Sequence, residues 1–434
     1  MRETHFLSAI AFAACSSFFL TQNVDAQIQL DASFDHASLK ASQSFVSSVS
    51  GDIMLRGRTN YYGNDWRWLY FKTSNIVNQN PQFWISDDFA GGSSRLTNHK
   101  MIYSYDQENW HYFDNNGLDY EGGYKFSNNT NFTQNDVYVA YSFPYSYGKA
   151  SSHVASLVGN PYVKPTKSAN SNLVIGQSPG GVDDLGRVVT PKNLFGYQIT
   201  DTNSTKPKKK IALTSGLHAN EVLGNHTLEG MINMLVSDDP RMKKLRQHAD
   251  FYVYPMLNPD GRYAGNNRTT VENVDEDPNR LWHPALYQDH KDIKTTADAM
   301  IADTDADIDY FIDFHSTIPT GTQTDFGYIP YYKDNHNDPF WLSLKDREPQ
   351  IAALNSTGTN WYTTNFAESF LDAEFDMTFE TMFSLNRSQD YYTDLGESFA
   401  LAFFDTIVPL PEPTSFMLLS VGLVPLLTSR RKRD

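Results

Sequence analysis

The sequence predicts a chain of two folded parts: an antiparallel β-sandwich and, after it, an α/β domain whose sheet is covered on both faces. Short aromatic runs separated by turn residues predict the sandwich, and strand patterns that alternate with helical patterns predict the α/β domain. A length of 434 residues with 40% hydrophobic content is sufficient for both cores. We expect a signal peptide over residues 1–26, the sandwich over 27–143, the α/β domain over 144–408 and a sorting tail over 409–434.

Alternating aromatic residues mark the strands of the first part. Such runs lie at residues 66–71, 101–105 and 136–141, with Asn, Gly, Asp and Ser between them. Period-two patterning with closely spaced turn residues is typical of an antiparallel sandwich. The aromatic stripes also invite interpretation as a carbohydrate-binding surface. Alternating aromatic side chains in strands more often fill a core, and we expect that here.

From Tyr145 onward, strand patterns alternate with helical ones. Residues 211–214, 251–257 and 310–314 have the composition of buried strands, and residues 222–236 have apolar positions at helical spacing. Strands that alternate with helices form sheets with both faces covered. In such folds, functional sites lie beyond the carboxyl ends of the strands.

Charge and cysteine content narrow the classes of function. The formal net charge of −16 argues against a nucleic-acid partner, because phosphate binding requires a basic face. The one cysteine, Cys15, lies in the segment that we expect to be removed. The mature protein would then have no disulfide bonds and would be stabilised by core burial.

The N-terminus is typical of a targeting segment. Arg2 precedes an apolar run over residues 6–20, and residues 24–26 offer a cleavage point before the mature chain. Two alternatives are a buried N-terminal helix and lipidation at Cys15. The apolar run continues past this cysteine, which fits lipidation poorly.

The C-terminus has a more specific pattern. Pro411-Glu412-Pro413 is followed by an apolar stretch at 416–427 and a basic cluster at 430–433. The stretch is shorter than the roughly 20 residues of a stable membrane span, and the basic cluster would hold the end in the cytoplasm. This order closely resembles the PEP-CTERM sorting signal of Gram-negative bacteria that make exopolysaccharide. The resemblance implies export to the cell surface, outer membrane or extracellular matrix, with an exosortase-type enzyme and the exopolysaccharide matrix as partners.

His218, Glu221 and His315 form a candidate metal site. His218 and Glu221 follow the first buried strand, three residues apart, so both can turn toward one point as a helix begins. His315 ends a later strand. Two histidines and one carboxylate are the ligand set of a catalytic zinc whose fourth position is open for water. On their own these residues do not justify the assignment, because His-x-x-Glu is common by chance and a histidine at a strand end is usually structural.

The motifs around these residues resemble those of the M14 zinc carboxypeptidases. The family's elements follow in its order: His-x-x-Glu at 218–221, Asn-Pro-Asp-Gly at 258–261, Asp-x-Asn-Arg at 277–280, His315 and Thr-x-Glu at 378–380. Chance does not account for five elements in the correct order.

The resemblance is finer for one branch of this family, the cytosolic-carboxypeptidase-like proteins. Members carry a β-sandwich before the catalytic domain; this chain has a comparable Trp-x-Tyr-Phe strand at 68–71 and a comparable junction segment at 141–147. The match covers most of residues 60–385. It implies a zinc-carboxypeptidase-like mixed sheet with helices on both faces. The expected export departs from the cytosolic setting that names the branch.

The resemblance also implies a role for each site residue. His218, Glu221 and His315 would bind one zinc ion, which lowers the pKa of a bound water and polarises the scissile carbonyl. Glu380 would take the proton of that water as general base and return it to the leaving amine. Arg268 would stabilise the oxyanion as charge develops.

Asn279 and Arg280 would hold the terminal carboxylate of the substrate, where a planar guanidinium gives a two-point grip. Asp277 would orient His218 through a hydrogen bond. A structural ion pair is the alternative for Arg280, and a solvated strand end is the alternative for Glu380. The expected function is that of an exported zinc metallocarboxypeptidase, which hydrolyses C-terminal amino acids from peptides or proteins.

Some positions have no clear match in the family. The candidates for the tyrosine that closes over substrate are Trp361, Tyr362 and Tyr391. Arg387 is the candidate for a pocket cation that would select acidic C-terminal residues. Two other functions stay open: an M14-type amidase acting on peptidoglycan stem peptides, and a non-catalytic matrix-binding protein with an inactive site.

Other histidines offer alternative metal ligands. We expect them to be solvated surface residues: His226, His283 and His290.

Overall fold

The computed structural model describes most of the chain between residues 27 and 409. The described residues are 27–60, 66–86, 89, 96–97, 99–118, 122–317, 329–331, 337–351, 360–382 and 387–409. The predicted signal peptide and all but the first residue of the predicted sorting tail lie outside them. Within the described ranges, no helix combines the length and apolar character that a membrane crossing requires.

Two five-stranded sheets form the first part of the chain. Their strands are β1 (Gln29–Asp31), β2 (Phe45–Val46), β3 (Ile53–Leu55), β4 (Tyr70–Ser74), β5 (Phe83–Ser86), β6 (Ile102–Ser104), β7 (Trp110–Tyr112), β8 (Asn115–Leu118), β9 (Gly123–Ser127) and β10 (Val137–Ala140). One sheet has the order β1-β4-β10-β6-β7 and the other β2-β3-β5-β9-β8. The described pairs are antiparallel except β3 with β5, which run parallel. The second sheet therefore departs from the antiparallel pairing expected from sequence, because alternation reports burial and not strand direction.

The two sheets contribute to one shared hydrophobic cluster. Strand β5 shows the pattern, since Phe83 and Ile85 are buried while the residues between and after them are half-buried. Trp66, Trp68 and Phe71 are fully buried in the same cluster. The prediction that the aromatic runs fill a core is thereby confirmed for these residues.

A seven-stranded sheet organises the second part. The strands of this part are β11 (Val163–Pro165), β12 (Val174–Gln177), β13 (Gly181–Val182), β14 (Val188–Val189), β15 (Asn193–Phe195), β16 (Tyr197–Ile199), β17 (Lys209–Ser215), β18 (Ala249–Tyr254), β19 (Tyr310–Thr317), β20 (Ile329–Tyr331) and β21 (Phe375–Met382). Of these, β12 with β15 and β13 with β14 form two small separate sheets. The large sheet has the order β11-β16-β18-β17-β19-β21-β20. Its strands β18, β17, β19 and β21 are parallel, and β11, β16 and β20 pair antiparallel. The sheet is therefore mixed, as expected.

Helices cover both faces of this sheet. They are α1 (Tyr147–Leu157), α2 (Leu223–Leu235), α3 (Pro240–His248), α4 (Pro259–Ala264), α5 (Lys291–Thr304), α6 (Pro339–Arg347), α7 (Thr363–Phe370) and α8 (Gln389–Ile407). In β17, Ile211 and Leu213 join the cluster formed with α2, α3, α6 and α8. Ala212, which points the other way, joins the cluster formed with α5 and α7. The predicted α/β fold class is confirmed.

The parallel strands bring the motifs to one edge of the sheet. Strand β17 ends just before His218, β19 contains His315, and β21 contains Glu380. Glu380 is the register partner of His315. Since neighbouring parallel strands point their carboxyl ends the same way, these motifs meet beyond one edge.

Candidate metal centre

His218, Glu221 and His315 lie together at this edge of the sheet. One ligand atom of each lies within 4.8 Å of those of the other two. Nδ1 of His315 is 3.1 Å from Nδ1 of His218 and 2.8 Å from Oε2 of Glu221. All three residues are buried. The structure therefore brings two imidazole nitrogens and one carboxylate to a single point, which is the donor set of a catalytic zinc.

The imidazole orientations also fit a metal ion. Each histidine points Nδ1 into the cluster and Nε2 toward a carboxylate. Nε2 of His218 lies 2.9 Å from Oδ1 of Asp277, and Nε2 of His315 lies 2.7 Å from Oδ2 of Asp313. A carboxylate fixes the proton on Nε2 and leaves the Nδ1 lone pair available as a ligand. The residues thus fit zinc with three protein ligands and an open fourth position.

Asp313 is a site residue that the sequence reasoning missed. It is fully buried, and it also accepts hydrogen bonds from Thr214 Oγ1 at 2.7 Å and Thr363 Oγ1 at 2.5 Å. Burial raises the pKa of Asp313, but the His315 imidazole and these bonds outweigh burial and lower the pKa below its ordinary value. The available signal was the Asp-x-His spacing at 313–315, which puts both side chains on one face of a strand.

The Asn-Pro-Asp-Gly motif braces the turn that carries His218 and Glu221. Asn258 Nδ2 donates to the carbonyls of Leu217 and Thr269, both at 3.0 Å. A Cβ at Gly261 would lie 2.2 Å from the Thr269 carbonyl oxygen, so this close approach requires glycine.

Arg262 follows this motif, is fully buried, and supports the same turn. Its Nη2 donates to the carbonyls of His218 at 3.3 Å and Glu221 at 3.1 Å. Arg262 is not among the residues predicted from sequence, although it directly follows the Asn-Pro-Asp-Gly motif.

Glu380 faces the cluster from β21. Its Oε2 is buried and has no hydrogen-bond partner among the described residues. Burial, followed by the negative charge of Glu221, raises the pKa of Glu380 to about 8. A divalent cation held by Glu221 would oppose this rise, because its charge favours the ionised carboxylate. A carboxylate oxygen without a hydrogen-bond partner beside a metal site is suited to proton transfer.

Arg268 also reaches the cluster. Its Nη1 donates to Glu221 Oε1 at 3.0 Å, and its Nε donates to Asp277 Oδ2 at 3.1 Å. The guanidinium is therefore fixed between a metal ligand and the carboxylate that orients His218. This position is compatible with the predicted role in stabilising a developing oxyanion.

Asn279 and Arg280 lie on the short 3₁₀ helix Pro278–Arg280, next to Asp277. Asn279 is buried, and its Oδ1 accepts a hydrogen bond from the Thr363 backbone N–H at 3.0 Å. The Arg280 side chain is 43% exposed, with Nη1 3.5 Å from Asp277 Oδ2. Arg280 therefore keeps donors available to solvent beside the cluster.

The candidates for a closing tyrosine lie in different surroundings. The Tyr362 ring packs against the Arg280 guanidinium at 4.3 Å. Trp361 is 38% exposed and packs on His283, with ring centroids 4.0 Å apart. Tyr391 lies in the first turn of α8, and its ring contacts the Arg387 guanidinium. Of the three, Tyr362 is placed beside the predicted carboxylate clamp.

Arg387 is not brought to the metal cluster. Its guanidinium carbon lies 4.3 Å from the ring centre of Tyr391, in a surface groove that Trp110 and Phe143 also line. Within the described residues, this groove shares no lining residue with the small pocket beside Glu221.

The expectation that three other histidines are solvated is wrong for His226. This residue is fully buried in α2, where Nε2 lies 3.2 Å from the Phe143 carbonyl oxygen. Burial lowers the pKa of His226 well below its ordinary value, so it is a neutral core residue. His283 and His290 are half-buried, and His290 lies 3.4 Å from a Glu276 carboxylate oxygen.

Residues 168–331 match the profile of the zinc carboxypeptidase family, Peptidase_M14. Mouse cytosolic carboxypeptidase 6 is 30% identical over 242 residues, which cover 54% of this chain and 40% of the mouse protein. The Caenorhabditis elegans protein of the same name is 33% identical over 158 residues, covering 35% of this chain and 31% of that protein. The matched region thus spans less than half the length of these relatives.

Solved structures share the fold over most of the chain. A metallo-carboxypeptidase from Burkholderia cenocepacia aligns with a TM-score of 0.69 at 18% identity, covering 87% of this chain and 97% of that one. A Pseudomonas aeruginosa metallo-carboxypeptidase, in complex with (2-guanidinoethylmercapto)succinic acid, aligns with a TM-score of 0.66 at 19% identity, covering 87% and 98%.

Proposed function

We propose that the chain is an exported zinc metallocarboxypeptidase of the M14 family, because residues 168–331 match the profile of that family and cytosolic carboxypeptidases are similar to this chain. It would remove C-terminal amino acids from peptides or proteins. One observation carries the proposal. His218 and His315, each paired with a carboxylate at Nε2, converge with Glu221 at one point, and Oε2 of Glu380 has no hydrogen-bond partner among the described residues.

Zinc bound at this site would act as a Lewis acid and lower the pKa of a coordinated water. The protein fixes the geometry that this chemistry needs. Asp277 and Asp313 hold the imidazoles of His218 and His315 with Nδ1 facing inward. Neither ring has to reorient when a metal binds, so binding spends little free energy on ordering the site.

Glu380 would hold the proton during the reaction. Its free Oε2 can accept a proton from the attacking water and deliver it to the nitrogen of the leaving amine. Burial raises the pKa of Glu380, and the charge of a bound divalent cation would oppose this rise, so that the carboxylate can accept the proton of the water before it returns it.

Arg280 and Asn279 would select a free C-terminus. The exposed Arg280 guanidinium has several donors in one plane, which match the two oxygens of a carboxylate. A free carboxylate at this position would place the adjacent amide bond over the metal site. An amidated C-terminus offers no negative charge to the guanidinium and would bind less tightly.

The finer assignments rest on sequence pattern. We propose that the first two sheets form the N-terminal β-sandwich of the cytosolic-carboxypeptidase-like branch, because they share one core. Export, processing by an exosortase-type enzyme and association with an exopolysaccharide matrix are proposed from the order of motifs at the two chain ends.

The test is a panel of paired peptides with identical sequence and either a free or an amidated C-terminus. The purified protein is assayed as prepared, after removal of metal with a chelator, and after zinc is restored. Mass spectrometry should show loss of single residues from the free C-terminus alone, abolished by the chelator and recovered with zinc. We also expect inhibition by (2-guanidinoethylmercapto)succinic acid, the ligand of the Pseudomonas structure.

Two results would overturn the proposal. Equal cleavage of the amidated peptides would show that Arg280 and Asn279 do not select a free carboxylate. That result would favour the amidase alternative, which would then be tested with peptidoglycan stem peptides. A zinc-loaded protein that cleaves no peptide on the panel would favour the non-catalytic alternative.

A further inference from the structure

The loop that carries Arg268 is hydrogen-bonded to the segment of the N-terminal part that connects β3 to β4. This loop, residues 265–269, follows α4 and precedes the segment that leads to Asp277. Asn267, the residue before Arg268, is fully buried. It makes hydrogen bonds to residues that lie 199 to 209 positions earlier in the chain. The two parts of the chain therefore meet directly beside a predicted catalytic residue.

Asn267 uses its side chain and its backbone in these bonds. Its Oδ1 accepts from the backbone N–H groups of Arg67 at 3.0 Å and Trp68 at 3.2 Å. Its Nδ2 donates to the Arg58 carbonyl at 2.7 Å, and its backbone N–H donates to Asn60 Oδ1 at 3.0 Å. Each of these partners belongs to the N-terminal part, so the conformation of Asn267 is set from there.

Asn60 and Arg58 hold the rest of the loop. Asn60 Nδ2 donates to Asn266 Oδ1 at 2.9 Å. Arg58 is fully buried, and its Nη1 donates to the carbonyls of Ala264 and Gly265, the second at 3.2 Å. Arg58 is also paired with the carboxylates of Asp183 and Asp184, which hold its guanidinium in place. Moving the two carbonyls would leave Nη1 donors buried without acceptors, so this contact resists displacement of the loop.

The same region of the N-terminal part also reaches the turn with the metal ligands. The backbone N–H of Ala219, between His218 and Glu221, donates to the Arg268 carbonyl at 3.1 Å. The Ala219 carbonyl lies 3.3 Å from Nε2 of His36, which stacks on Trp68. The loop and the turn are therefore bonded to each other and both contact the N-terminal part.

We propose that Asn60 and Asn267 are positioning residues through which the N-terminal part sets the place of the Arg268 guanidinium. They hold the Arg268 backbone so that its side chain reaches Glu221 and Asp277. This inference rests on the proposed function, in which Arg268 stabilises charge in the transition state. Preorganised donors of this kind act on the chemical step more than on substrate binding. The N-terminal part is then a component of the active site.

The experiment is a double-mutant cycle on the full chain with a free-C-terminus peptide. Asn267→Ala should lower kcat by about 10-fold or more with a smaller change in KM, because misplacement by about 1 Å can cost about 100-fold in rate. In an Arg268→Ala background, Asn267→Ala should lower kcat little further, since the group that it positions is already absent. Asn60→Ala should behave in the same way with a smaller effect. Zinc content, measured in each preparation, should be unchanged.

Asn116→Ala is the matched control. Asn116 makes comparable bonds inside the N-terminal sheets, accepting from the Met101 N–H at 3.0 Å and donating to the Phe113 carbonyl at 2.8 Å. It should lower the thermal midpoint without changing kcat. If Asn267→Ala does not yield folded protein, Asn60→Ala carries the cycle.

The inference is overturned if the kcat losses of Asn267→Ala and Arg268→Ala multiply fully, or if Asn267→Ala and Asn60→Ala both leave kcat unchanged. Hydrogen exchange tests the loop without activity: peptides covering residues 262–270 should exchange faster in Asn60→Ala than in Asn116→Ala. Unchanged exchange would also refute the fastening of the loop. A wild-type protein inactive on every peptide, with loop exchange as expected, would refute the proposed function and leave the loop attachment standing.

Discussion

Asp313 offers the most direct test of how the metal site is built, and Asp313→Asn is the perturbation. The carboxylate is fully buried and its Oδ2 lies 2.7 Å from Nε2 of His315. An asparagine of the same shape can keep an acceptor toward His315 while its Nδ2 faces the Thr214 hydroxyl, which can accept. The substitution therefore removes the negative charge and keeps the packing.

The expected magnitude follows from the loss of this charge. Outer partners of metal-bound histidines contribute about 10- to 100-fold to metal affinity. That range corresponds to about 1.4 to 2.7 kcal/mol of binding free energy. Because Asp313 and His315 are both buried, solvent screens their interaction weakly, and we expect the upper part of the range.

The assay is competition for zinc between the metal-free protein and a fluorescent chelator of known affinity. Asp303→Asn is the matched control. Asp303 is also buried, and it accepts from the Tyr254 hydroxyl at 2.8 Å and the Ser168 N–H at 2.8 Å. The reasoning is refuted if Asp313→Asn binds zinc as tightly as wild type, or if Asp303→Asn weakens zinc binding equally.

Three further predictions concern substrate, stability and metal. Arg280→Ala should raise KM for free-C-terminus peptides by about 10-fold or more, since hydrogen bonds to charged groups contribute about 1.5–3 kcal/mol; steady-state kinetics should also show less preference over amidated peptides. Burial raises the pKa of Asp292 from its ordinary value of 3.8 to about 7. Between those two pH values the folded protein retains a proton that the unfolded chain has lost, so the free energy of unfolding falls as the pH rises. Asp292→Asn should therefore gain up to about 4 kcal/mol over wild type at pH 8 and little at pH 4, in denaturant titrations; equal effects at both pH values would contradict this assignment. Zinc should raise the thermal midpoint of the metal-free wild type but not of His315→Ala, because ligands that bind only the folded state stabilise it.

Much of the fold follows from local sequence pattern. The strands that surround the site were predicted near their observed positions, because runs such as residues 211–214 and 310–314 are mostly apolar, as is typical of parallel strands that are buried on both faces. The parallel pairing of β3 with β5 was not predictable in this way. Strand direction depends on the path of the connecting chain, which alternation does not encode.

The clustering of the candidate site residues could be predicted where they lie within recognised motifs. His218, Glu221, His315 and Glu380 are brought to one edge because each motif follows or ends a parallel strand. His226 shows the limit of the approach: a histidine on a helix gives no sign of its burial until the packing partner Phe143 is known.

Long-range partners were outside the reach of motif reasoning. The hydrogen bond between Asn267 and Arg67 joins residues 200 positions apart, and no local spacing predicts that the N-terminal part reaches the Arg268 loop. Residues close in sequence can also lie apart: Arg387 is seven positions after Glu380, but its side chain lines a separate surface groove.

The most direct test of the central claim compares wild type with Glu380→Gln on one peptide with a free C-terminus. Zinc content is measured in both proteins, and release of the C-terminal residue is followed by mass spectrometry. We predict that both hold one zinc ion and that the substitution lowers kcat by about 100- to 10,000-fold, the usual contribution of a general base. Full activity of zinc-loaded Glu380→Gln would contradict the assignment of the catalytic carboxylate.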